Sequence, residues 1–168
     1  ILPGLVDLHV HASQYAYRGL GMDMELLDWL EQNAFPEESH FADLTYARRA
    51  YEIFAGELVR SATTRACIFA TLHRPATLVL MELLEKAGLP CYVGKVNMDR
   101  NSPDYYCEES AEASLEATRE WLMQSEQFHN VRPSKEAGFL RSFYCYRESP
   151  QKTGNKPAAE SERRHLRL

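Results

Sequence analysis

Short apolar runs that alternate with amphipathic stripes are the feature that most limits how this chain can fold. Residues 5–11, Leu-Val-Asp-Leu-His-Val-His, alternate after a Pro-Gly entry and predict a strand, with Leu8 and Val10 facing one way and Asp7, His9 and His11 the other. From Asp23 to about Asn33, Leu26, Leu27 and Leu30 fall on a helical stripe, with Asp23 placed to cap the start and Phe35-Pro36 to end the run. Ala47, Ala50, Tyr51, Phe54 and Leu58 predict a helix across 43–60, and the apolar run 66–70 a buried strand. The pattern repeats with a helix over 76–87 closed by Gly88, a strand over 90–96, and a helix over 110–125 carrying Ala111, Leu115, Thr118 and Leu122 on one face. Residues 128–132 begin a fourth strand.

Strands that are apolar throughout, separated by helices, call for a parallel sheet covered by helices, either an α/β barrel or a doubly wound sheet. A closed barrel of eight units takes roughly 250 residues, whereas this chain has 168. Three complete units and the start of a fourth are present. The expected fold class is therefore α/β, a partial TIM-type (β/α)8 barrel of about three to four β/α units followed by an irregular C-terminal tail. Half a barrel leaves two open edge strands and an uncovered interior, which invites association.

Charge divides the chain in the same place. Residues 1–128 hold 10 basic and 20 acidic groups, the remaining 40 hold 9 and 4. Periodicity also stops near Pro133. Residues 1–133 are accordingly expected to be the barrel segment, and 134–168 a basic, disordered tail. A basic tail raises nucleic-acid binding, but the acidic body and the lack of aromatic residues after Tyr146 speak against it. No window reaches the roughly 18 apolar residues of a membrane span, and the N-terminal residues lack the pattern of a signal peptide. A first residue that is Ile rather than Met is read as a chain that starts inside a longer protein or has been processed. Cys67, Cys91, Cys107 and Cys145 form no C-x-x-C pair, which fits reduced thiols in a cytoplasmic setting.

The chemistry concentrates in His9-Val10-His11. Two imidazoles two residues apart on a strand point to one side and could supply two ligands to zinc. Spacing alone leaves open a second reading, polar residues at a sheet boundary. Position favours the first, because the pair closes the first strand and α/β barrels build their active sites at strand C-termini.

The run Pro3-Gly4-Leu5-Val6-Asp7-Leu8-His9-Val10-His11 resembles the first-strand signature of the amidohydrolase superfamily. The later blocks Ala12-Ser13-Gln14, Leu27-Asp28-Trp29-Leu30, Phe35-Pro36, 69–73 and 93–99 are similar, in order, to its guanine deaminase branch. The resemblance extends from Ile1 to about Pro133. It implies a zinc enzyme of guanine catabolism that hydrolyses guanine to xanthine and ammonia, and a homodimer in full-length members. By the same pattern His9 and His11 are zinc ligands, and His11, Ala12, Ser13 and Gln14 line the purine pocket. The family's remaining histidines, aspartate and proton-shuttling glutamate come from later strands, so no catalytic side chain is assigned here and the chain alone is expected to be inactive. His73, at the end of the second strand, is expected to serve behind the site rather than as a ligand. Trp29, Trp121 and Tyr105-Tyr106 could stack on a purine, but for the tryptophans burial is the better reading.

After Pro133 the family pattern continues into a Thr-Pro-Arg-Phe element, whereas this chain reads Ser134-Lys135-Glu136-Ala137. That departure is read as a reading-frame change or gene disruption. The alternatives to an enzyme segment are a non-catalytic half-barrel interaction module and a remnant of a disrupted gene.

Overall fold

The computed structural model describes residues 2–134. The irregular tail expected over 134–168 lies, apart from Ser134, outside the described residues. The elements are β1 (Leu5–His11), α1 (Leu26–Trp29), a π-helical turn (Leu30–Ala34), α2 (Phe35–Ser39), α3 (Leu44–Arg60), β2 (Thr63–Phe69), α4 (Arg74–Lys86), β3 (Cys91–Gly94), α5 (Ala111–Ser125) and β4 (Val131–Pro133). The four strands form one parallel sheet in the order β1-β2-β3-β4. Sequential order with helical crossovers is the topology of a barrel opened after its fourth strand, and the chain is an α/β partial barrel as the sequence predicts.

Helices α3, α4 and α5 cover one face of the sheet. Between them lie Ala47, Tyr51, Phe54, Ile68, Leu80, Met81, Leu84, Val93, Trp121 and Val131, all buried. Each large apolar side chain so enclosed contributes roughly 1.5–3 kcal/mol, which is why these crossovers hold. Local signals set the helix ends. Asp43 accepts the Thr45 N–H at 2.8 Å to start α3, and Ser110 accepts that of Ala113 at 3.1 Å to start α5. Gly88 takes φ +70° just after α4, where the Leu89 N–H returns to the Leu84 carbonyl at 3.2 Å. Among the described residues nothing covers the opposite face of the sheet, where Val6, Leu8, Arg65, Cys67, Tyr92 and Arg132 line a shallow hollow.

Three local expectations need correction. Leu8 and Val10 do not share a face: Val10 packs on the core while Leu8 lies on the open side with Val6. The cause is an irregularity in β1, where Asp7 and Val10 pair with Ala66 and Ile68, three residues against two. Asp7 Oδ1 accepts the His9 N–H at 3.0 Å within it. Asp23 does not cap the first helix, which has Glu25 at its N-cap position, and Phe35-Pro36 does not end the run. The helix instead widens by a π turn, in which the Phe35 N–H reaches back to Leu30, and that turn receives Pro36 at the start of α2. On α5 the buried stripe is Ser114, Trp121 and Ser125, and Leu115 is exposed. The stripe is rotated because a polar network, described next, occupies the helix start.

Candidate functional site

The site lies at the C-terminal ends of the strands, where the chain leaving β1, β2 and β3 folds over the sheet. The irregularity in β1 leaves His9 and His11 on one side. Their rings are 5.1 Å apart, centre to centre, and both rest against Phe69 at the end of β2, at 4.7 and 4.8 Å. Burial, with His9 beside it, pushes the His11 imidazole down to about 4. His11 is therefore neutral near pH 7, the form in which imidazole binds a metal. Two imidazoles on one side of the strand fit part of a zinc site. No group of three or more His, Cys, Asp or Glu side chains able to hold a metal occurs among the described residues.

The segment after β1 is anchored by its own backbone and hydroxyl. The Ala12 N–H donates to the Phe69 carbonyl at 2.9 Å and Ser13 Oγ to the Ala70 carbonyl at 3.0 Å, so Ala12 and Ser13 are buried. Gln14 is half-buried, and its Nε2 donates to Glu38 Oε1 at 2.9 Å. Glu38, from α2, also accepts from Tyr106 Oη at 2.7 Å and, at a longer 3.5 Å, from Tyr17 Oη. Burial raises the Glu38 carboxyl above its usual range, and the donors Tyr106, Gln14, Ser13 and Tyr17 offset part of that rise. Tyr106 Oη shares a further hydrogen bond of 3.2 Å with Thr71 just beyond β2.

A second polar knot stands behind β3. Lys95 is fully buried and its Nζ donates to Glu108 Oε1 at 2.6 Å, Val96 O at 2.9 Å and Asn97 Oδ1 at 3.0 Å. Glu108 Oε2 accepts from the Met98 N–H at 2.8 Å and Ser114 Oγ at 2.7 Å. This knot turns the stripe of α5 and shapes the loop that carries Tyr106.

Of the residues singled out in the sequence, His9, His11, Ala12, Ser13 and Gln14 thus come together on one strand and its following turn. His73 occupies the N-cap position of α4, with its ring 5.8 Å from that of Tyr106, and among the described residues its Nε2 has no hydrogen-bond partner. Trp121 is buried in the core, and Trp29 Nε1 donates to the Leu20 carbonyl at 2.8 Å. Sequence reasoning missed Glu38, Lys95 and Glu108, and weighed Tyr106 only as a stacking group. A glutamate after Phe35-Pro36 looks like an ordinary acidic first turn of a helix, so nothing local marked Glu38 as enclosed.

A sequential parallel sheet with a histidine pair at its C-terminal mouth defines a class, and the match over residues 1–134 makes it specific: the chain belongs to the amidohydrolase family. Guanine deaminases are among the proteins it is similar to. It is 48% identical to the probable guanine deaminase of Schizosaccharomyces pombe over 122 residues, covering 73% of this chain and 23% of that protein. It is 38% identical to the guanine deaminase of Homo sapiens over 136 residues, covering 79% and 30%. The solved guanine deaminase of C. acetobutylicum with guanine bound in its active site superposes with a TM-score of 0.75 at 45% identity, covering 79% of this chain and 32% of that one. The chain thus spans less than a third of the length of each of these relatives.

Proposed function

We propose that this chain supplies the first-strand quarter of the active site of a hydrolase that converts guanine and water to xanthine and ammonia. The observation that carries the reading is the pair His9 and His11, side by side at the mouth of β1 with His11 held neutral. The family match and the guanine-bound neighbour support it. In this reading His9 and His11 hold zinc, which when bound supplies Lewis acidity and lowers the pKa of water. His11, Ala12, Ser13 and Gln14 wall the purine, Ala12 and Ser13 as a fixed floor and Gln14 through its amide. Two histidines fall short of the three or more protein ligands of a catalytic zinc site, so this chain by itself is inactive. The reading also places the protein in the cytoplasm, in purine catabolism, and in a homodimer when the barrel is complete. Among the described residues no helix is long and apolar enough to cross a membrane.

The test is a chimera in which residues 2–134 replace the matching segment of the C. acetobutylicum guanine deaminase. It should release ammonia and xanthine from guanine, and His9→Ala with His11→Ala should abolish the release. A folded chimera without turnover overturns the proposal.

A further inference from the structure

Glu38 is the most deeply buried carboxyl residue among the described residues. Burying a carboxyl is costly even where hydrogen bonds offset part of the cost, and an apolar side chain on α2 could close its end of the sheet. The hydrogen-bond partners that surround Glu38 are neutral amide and hydroxyl groups, with none of the described ion pairs including it. One of them belongs to the proposed purine wall: Gln14 Nε2, 2.9 Å from Oε1. The other oxygen is taken by Tyr106 Oη at 2.7 Å, which is in turn held by Thr71. Tyr106, Phe35 and Tyr17 are packed in one buried cluster beneath this network, so the carboxyl has little freedom to turn.

A glutamine amide has two nearly isosteric ends, and only its NH2 end can face a carboxylate oxygen without repulsion. Among the described residues nothing donates to Gln14 Oε1. We propose that Glu38 is a positioning residue for base recognition, fixing the Gln14 amide so that its carbonyl oxygen and its second N–H meet the purine edge in one order. This rests on the guanine reading and deepens it. A fixed acceptor-donor pair matches a ring edge that sets an N–H beside an acceptor, as guanine has. The flipped amide would set donor against donor, the kind of mismatch by which polar sites reject the wrong ligand. Glu38 touches no base itself and acts through Gln14.

The experiment uses the 168-residue chain, its Gln14 side-chain amide assigned by NMR, with guanine as the probe in saturation-transfer measurements that read weak binding. In the parent, one Gln14 amide proton should be shifted downfield and exchange slowly. Glu38→Gln, which keeps the volume, should collapse that difference. An amide freed to occupy both orientations equally halves the competent population and weakens binding about twofold, so the guanine signal should fall by about that factor. In a Gln14→Ala background the same substitution should cause no further loss, a non-additivity that a merely structural role would not produce. Should Glu38→Gln fail to fold, Tyr106→Phe removes only the hydroxyl that steadies Oε2 and should weaken both signals in the same direction. A guanine signal indifferent to both substitutions, or one weakened equally with and without Gln14, overturns the positioning role alone. A parent chain with the Gln14 signature intact and no guanine signal overturns the guanine reading, and the recognition role with it.

Discussion

Replacing Glu108 with alanine should destabilise this chain more than any other single change outside the apolar core. The Lys95 ammonium is fully buried and leans on Glu108 at 2.6 Å, and the same carboxylate accepts the Met98 N–H and the Ser114 hydroxyl. Glu108→Ala would leave a buried cation without its counter-charge and the Met98 N–H without its acceptor, a loss of about 3–5 kcal/mol. Against a total stability of about 5–15 kcal/mol for a domain, that is a fall in melting temperature on the order of 10–15 °C. Replacing the pair together, Lys95→Met with Glu108→Met, should cost less, since an apolar pair of similar volume leaves no stranded charge. The dependence on pH gives a sharper signature. Burial, offset in part by Glu108, holds Lys95 below its ordinary value of 10.5. The unfolded chain therefore binds more protons than the folded one in the alkaline window beneath that value, and folding stability should rise with pH there. Glu108→Ala removes the groups that raise Lys95, so its stability should climb more steeply with pH than that of the parent, and the climb should vanish in the double variant. Far-UV circular dichroism melts and urea titrations from pH 7 to 10 measure all three chains. A single variant within 1 kcal/mol of the parent at pH 7, or one as flat with pH as the double variant, refutes the assignment of Lys95 and Glu108 as a buried ion pair.

Leu80 is fully buried between α4 and the sheet, and Leu80→Ala should cost about 2–5 kcal/mol by urea denaturation; a loss below 1 kcal/mol would mean a loosely packed core. Asp43→Ala removes the side-chain acceptor for the Thr45 N–H and should cost about 1 kcal/mol, against no measurable change for Asp43→Asn. Glu85 gathers the backbone N–H groups of His129, Asn130 and Val131. Burial would raise its carboxyl, and those three N–H groups pull it below the usual range instead. Its contribution is therefore present above the unfolded-state value and lost as pH falls through the lowered one. Glu85→Gln should speed hydrogen exchange of the Val131 amide at neutral pH, and unchanged exchange would show that β4 does not depend on it.

The fold was legible because its signals were long or chemically marked. Helix α3 announced itself by a stripe over seventeen residues with Asp43 at its head, and α4 by its stripe and Gly88. Strand β1 was placed correctly, yet its inner register was not, because an irregularity between Asp7 and Val10 depends on pairing with β2 that no local pattern records. Pro36 was read as a stop because the rule that proline breaks a helix omits the π turn that admits it. The histidine pair and Gln14 were visible as a motif on one segment. Glu38, Tyr106, Lys95 and Glu108 were not, since each becomes a buried partner only when segments up to 68 residues apart close over the strand ends. Charged residues are read from sequence as solvated, and tertiary enclosure is what reverses that reading.

The most direct test of the account is a zinc titration of the chain followed through the histidine ring nitrogens by NMR. Weak binding is expected in which His9 and His11 shift together, with no binding once both are replaced by alanine. Zinc held tightly through dialysis by the doubly substituted chain would contradict it.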